Sequence, residues 1–163
     1  MAFFPCTRFE DQVLLWFRGE NYGQKGWDDI QKLEYDLKIH KELSENYELI
    51  TKLTIIVLRK NLKMVFENPA SEQHYLTRYW CIKPSIIDKD RTENGDIYKK
   101  PTQYWFVGVE PKQNLVFEPL LWVEQQSVVD VSTKNRARIR SEIHPQYASR
   151  FIRQYIIDEQ KEK

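Results

Sequence analysis

The chain of 163 residues carries 25 Lys and Arg against 24 Asp and Glu, a formal net charge of +1. That balance excludes a general polycation and a strongly acidic protein, so contact with nucleic acid would have to rest on a local patch. A composition of 41% hydrophobic and 30% charged residues excludes a disordered chain and a membrane-spanning helix, and this length can bury a core without a disulfide or metal.

The chain reads as one domain, 1–163, in three compositional zones. Residues 1–48 form a helical N-terminal element. The apolar run Val13–Phe17 ends at the turn formers Gly19, Asn21, Gly23 and Gly26. A helix follows: Asp28 and Asp29 suit its positive end, and Ile30, Leu33 and Leu37 recur at helical spacing, which predicts a core-facing stripe. Residues 50–131 read as a β core. Leu53–Leu58 is a β-branched run, Leu62–Phe66 its hairpin partner, and Tyr75–Ile82 a third strand bent by Pro84. Asp88–Asp96 is a charged loop turning at Asn94-Gly95. Gln103–Glu110 and Leu115–Val123, joined through Pro111 and Asn114, predict a hairpin, with a bulge or edge at Pro119. Residues 132–163 are a basic segment and then a helix. Pro145 fits its first turn, and Ala148, Phe151, Ile152, Tyr155 and Ile156 form an apolar stripe.

Catalytic constellations are missing from the sequence. His40, His74 and His144 stand alone, the glycines at 19, 23 and 26 do not match a phosphate loop, and Cys6 and Cys81 make neither a disulfide framework nor a zinc site. Cys81, beside Trp80 in an apolar run, predicts a buried, inert thiol. The reading is therefore a non-enzyme with no cofactor and no metal. Without a signal or transit pattern at Met1–Pro5, and without a glycosylation sequon, the chain is expected to be intracellular.

Two features suggest binding. Lys134, Arg136, Arg138 and Arg140 alternate, so in an extended chain all four share one face suited to tracking phosphates; Arg150 and Arg153 extend this candidate nucleic-acid-binding set. The bland reading of the same residues is a solvated connection pairing with distant acids. The aromatics, five Trp, nine Tyr and eight Phe, could form a stacking platform for single-stranded bases, although those among Val and Leu read more simply as core. Tyr22 and Trp27 are the expected exposed ones.

The stretch Tyr104–Glu110, with its central Gly108, followed by a short turn and Leu115–Val123, resembles the last two strands of an OB-type barrel closed by a helix. The combination resembles the small subunit of replication protein A and of the related telomere-capping trimer. That resemblance implies an α+β, mainly antiparallel barrel and a nuclear accessory subunit acting on single-stranded or telomeric DNA. It also implies a larger protein partner bound through Phe151, Ile152, Tyr155 and Ile156. Two other readings stand beside it: a helix-grip fold with an apolar ligand, and an accessory subunit of a mitochondrial or ribosomal assembly.

Overall fold

The computed structural model describes residues 2–3, 8–10, 13–122, 124–126 and 142–158. The architecture is α+β: β1 (Ala2–Phe3), α1 (Val13–Phe17), α2 (Asp29–Arg59), β2 (Met64–Pro69), α3 (Tyr75–Tyr79), β3 (Ile86–Asp88), β4 (Thr102–Val107) and α4 (Pro145–Tyr155). The strand order is β1-β2-β4-β3. The short β1 lies parallel to β2, pairing Ala2 with Phe66, and the other three strands form a small antiparallel sheet. The sheet is open, so the barrel expected from the sequence is not formed among the described residues.

The chain divides into two compact units, Met1–Ile86 with Gln103–Val109, and Ile87–Thr102 with Glu110–Lys163. The first is organised on α2, a helix of 31 residues. It starts with a capping box: Gln31 N donates to Asp28 Oδ1 at 2.8 Å, and Asp28 N donates to Gln31 Oε1 at 3.1 Å. It stops where Asn61 takes a left-handed φ of 52°. There the amides of Asn61 and Leu62 close back onto Leu58 O (3.2 Å) and Val57 O (2.9 Å), a Schellman ending.

This long helix overturns two expectations. Leu53–Leu58 is not a strand but the last turns of α2, because no breaker separates it from the helix formers upstream and propagation adds a hydrogen bond per residue. The face it buries is Ile39, Leu43, Ile50, Thr54 and Val57, and the Ile30–Leu33–Leu37 stripe points to solvent instead. Of the buried residues, Leu43, Ile50 and Val57 meet Phe9, Met64, Leu76 and Val107 around three aromatics. Phe66 stacks on Trp105 at 4.9 Å and nearly parallel, with Trp80 edge-on to Phe66 at 5.9 Å. Tyr75–Tyr79 is a helix, not a strand, and Trp80 follows it into the core, its indole N–H reaching Thr51 Oγ1 at 3.2 Å. Cys81 is exposed, contrary to the buried thiol expected from its neighbours. Gly108, just beyond β4, has φ +69°, and any Cβ there would lie 2.2 Å from Leu62 O, so only glycine allows this close approach.

The second unit contains α4 and a long irregular segment. The predicted strand Leu115–Val123 is not formed: residues 110–122 carry no regular structure. The terminal helix is where its stripe and Pro145 placed it.

Candidate functional site

In the second unit, residues 112–118 are laid along α4 by hydrogen bonds to the free end of that helix. Lys112 N donates to Tyr155 O at 2.9 Å and Asn114 N to Gln154 O at 3.0 Å. The Asn114 side-chain amide donates to Arg153 O and Ile157 O, each at 2.8 Å, satisfying carbonyls that a helix end leaves open. Lys112 also pairs with Asp158 at 3.2 Å. Leu115 and Phe117 in this segment are exposed, as are Leu121 and Trp122 beyond it.

Two candidate nucleic-acid-binding arginines are engaged by the same segment. Arg150 donates to Val116 O (3.4 Å) and Glu118 O (3.3 Å), and Arg153 forms an ion pair with Glu118. Lys134, Arg136, Arg138 and Arg140 lie outside the described residues. The stripe of α4 splits in two. Phe151 is buried, ring to ring with Tyr147 at 6.3 Å and with the half-buried Tyr155 at 5.1 Å, whereas Ile152 and Ile156 are exposed. Burial, and then the charge of Asp88, push the Tyr155 hydroxyl up. Of the four residues expected to face a partner, only the two isoleucines are left clear to do so.

Behind α4 the core is ionic. Arg91 and Asp96 are both fully buried and paired, and the Arg91 guanidinium stands 4.7 Å from the Tyr147 ring centroid. Asp96 Oδ1 also accepts from Ile97 N at 2.7 Å, and Tyr147 donates its hydroxyl to Asp88 Oδ2 at 3.0 Å. In the adjoining turn, Asp90 is partly desolvated, which alone would raise its pKa. Hydrogen bonds from Thr92 and the Lys99 ammonium at 3.1 Å outweigh this and hold it below the usual carboxylate range.

The first unit contributes a second surface and a buried polar chain. On α2, Ile30, Leu33 and Leu37 form one continuous outward stripe. Inside, the fully buried His74 sits with Nε2 3.3 Å from Asn68 Oδ1 and Nδ1 3.4 Å from Thr77 Oγ1. Thr77 donates its hydroxyl to Gln103 Oε1 at 2.8 Å, and Gln103 Nε2 donates to Pro69 O at 2.9 Å. Burial lowers the His74 pKa to about 4, so the ring is neutral at physiological pH. This chain stitches β2, α3 and β4 together and reads as structural.

The residue pattern missed three things: the outward stripe of α2, the Arg91–Asp96 pair and the exposed 115–122 segment. The spacing Ile39, Leu43, Ile50, Val57 was the available signal for the first, since it identifies the competing buried face. Tyr22 is exposed as expected, whereas Trp27 is half-buried beside Tyr35, their rings 5.3 Å apart. Among the described residues no group of three or more His, Cys, Asp or Glu could hold a metal ion, and no helix is long and apolar enough to cross a membrane. No protein-family model, no curated protein and no solved structure matches this chain.

Proposed function

We propose that the chain is a non-catalytic accessory subunit of a multiprotein complex that acts on single-stranded nucleic acid. The observation that carries the subunit reading is the apolar surface left in water: Ile30, Leu33 and Leu37 are 67%, 65% and 71% exposed on consecutive turns of one helix. Single exposed apolar residues are ordinary, but a contiguous stripe beside a fully formed core marks a surface that another protein covers. Leu115, Phe117 and Leu121 repeat the pattern in the second unit, and Ile152 and Ile156 add the part of α4 that the core does not use.

The nucleic-acid reading rests on Lys134, Arg136, Arg138 and Arg140. In a protein of net charge +1 these alternating cations offer the densest run of phosphate contacts. With Arg150 and Arg153 committed to the 116–118 backbone and Glu118, the phosphate-facing set contracts to these four.

The test is titration of a labelled single-stranded oligonucleotide at several salt concentrations, wild type beside the triple variant Arg136→Gln, Arg138→Gln, Arg140→Gln. Three lost contacts should flatten the slope of log affinity against log salt by about 2. Identical slopes would assign these arginines to a protein partner or to the fold.

A further inference from the structure

Within the second unit a cavity of about 490 Å³ is lined by Thr92, Gly95, Leu120, Leu121, Trp122 and Gln125, with Asp96 at its base. Its size falls in the range of small-molecule sites. Its two walls differ chemically. One is apolar, made by Leu120, Leu121 and Trp122. Trp122 is 87% exposed, so its indole face is turned to water with little packed on it. The other wall is polar and is set by the tight turn Arg91–Asn94 and by Gly95, whose φ is +93°. A Cβ at Gly95 would meet Gln146 Cγ at 3.0 Å and Leu120 Cδ2 at 3.2 Å, so glycine lets the turn and the apolar wall come together at this corner.

The electrostatics limit what fits. Asp96 is neutralised by Arg91 and by the amides of Ile97 and Tyr98. Its charge is therefore not available to attract a cation into the cavity. Thr92 has given its hydroxyl hydrogen to Asp90 Oδ1 at 2.6 Å and can only accept. The Gln125 amide offers a donor and an acceptor in one plane. A neutral planar ring with hydrogen-bonding groups on its edge satisfies this: its face covers the indole and its edge meets the Gln125 amide and the Thr92 acceptor.

We infer that this cavity takes one unpaired nucleobase of a single strand, stacked on Trp122 and read at its edge by Gln125. The inference rests on the nucleic-acid reading above and goes beyond it, because it adds contact with a base to contact with phosphate.

The experiment uses the full chain with a labelled oligonucleotide and with the same strand made abasic throughout, at fixed salt. Stacking of one base should make the base-bearing strand roughly 5- to 150-fold tighter. Trp122→Ala should remove that preference, and Trp122→Phe, which keeps a ring, should retain most of it. Circular dichroism of each variant should match wild type, because the replaced side chain is exposed. Equal affinity of wild type for the two strands would overturn the nucleobase site and leave phosphate binding standing. A preference unchanged in Trp122→Ala would place the base elsewhere and also overturn it. Absence of binding to either strand would remove both readings together.

Discussion

The two units are stabilised in different ways. The first surrounds Phe66, Trp80 and Trp105 with aliphatic side chains from α2, β2, α3 and β4, and its buried polar groups His74 and Gln103 are linked through Thr77. The second places a charged pair, Arg91 and Asp96, where a core would have aliphatics, and it orders a long irregular segment by bonding it to the end of one helix. An apolar core is tolerant, because burial free energy scales with area and is non-directional. An ionic core is conditional: each member is stabilising only while the other is present. The chain thus joins a unit whose stability depends on area to one whose stability depends on a few specific partners.

The largest expected effects would break that contrast. Trp105→Ala removes the ring stacked on Phe66 and should cost about 3–5 kcal/mol, read as a shift in the denaturation midpoint. Asp96→Asn keeps the shape but leaves the Arg91 cation buried without its counter-charge, again about 3–5 kcal/mol. The two should differ in place. Hydrogen exchange should show the amides of Ile97 and Tyr98, which Asp96 accepts, losing protection in Asp96→Asn while those of β4 keep theirs. Equal loss of protection everywhere would mean that the two cores unfold as one and that the contrast has no energetic meaning.

A smaller effect sharpens the description of the first unit. His74 is held neutral, with its pKa lowered from 6.5 to about 4 by burial. Between those values the unfolded chain binds the extra proton and the native chain does not, so stability is complete above pH 6.5 and falls as pH drops toward 4. The loss should reach about 1 kcal/mol at pH 5.5 and about 3 kcal/mol near pH 4. Urea midpoints measured at pH 7 and 5.5 test this. His74→Gln should be less stable at pH 7 but should lose the part of the slope due to this ring. A variant with the full wild-type slope would show that the titration belongs to another group.

Which parts of this architecture could be read from residues alone follows from how local their determinants are. Helix α4 was legible because its stripe and Pro145 lie within one short stretch of sequence, 145–156. The strands at Met64–Pro69 and Thr102–Val107 fell within or close to the apolar runs read as strands. Leu53–Leu58 misled because β-branched composition was weighed without its neighbours. Nothing interrupts the helix that begins at Asp29, and cooperativity carries it through. Leu115–Val123 misled for the opposite reason: its apolar alternation suggests a strand, but what holds this stretch lies far away in sequence, the amides of Lys112 and Asn114 just before it donating to Tyr155 O and Gln154 O and the Arg150 side chain donating to Val116 O and Glu118 O. The partners of Arg150 and Arg153 were equally hidden, since Glu118 is 35 positions from Arg153. Long-range pairing also decided which stripe of α2 is buried. Both stripes have helical spacing, and only the position of the sheet and of Phe9 selects Leu43, Ile50 and Val57 over Ile30, Leu33 and Leu37.

That choice between two stripes supplies the smallest expected effect on stability and the sharpest test of the partner surface. Leu33 is exposed, so Leu33→Lys gives up little burial. Lysine is a helix former comparable to leucine, and at this position it stands one turn after Asp29, an acid-then-base order that helices favour. The variant should therefore keep its denaturation midpoint to within about 0.5 kcal/mol. A surface that another protein covers responds differently, because a buried lysine without a counter-charge is expensive at an interface. Leu33→Lys should accordingly stay folded and monomeric, and it should fail to co-purify subunits that wild type retains. The measurements are sedimentation of the isolated chain and co-purification from the native source, wild type beside variant. A folded variant that assembles as wild type does would show that the outward stripe of α2 is ordinary surface, and the subunit reading would then rest on Leu115, Phe117 and the two isoleucines of α4 alone.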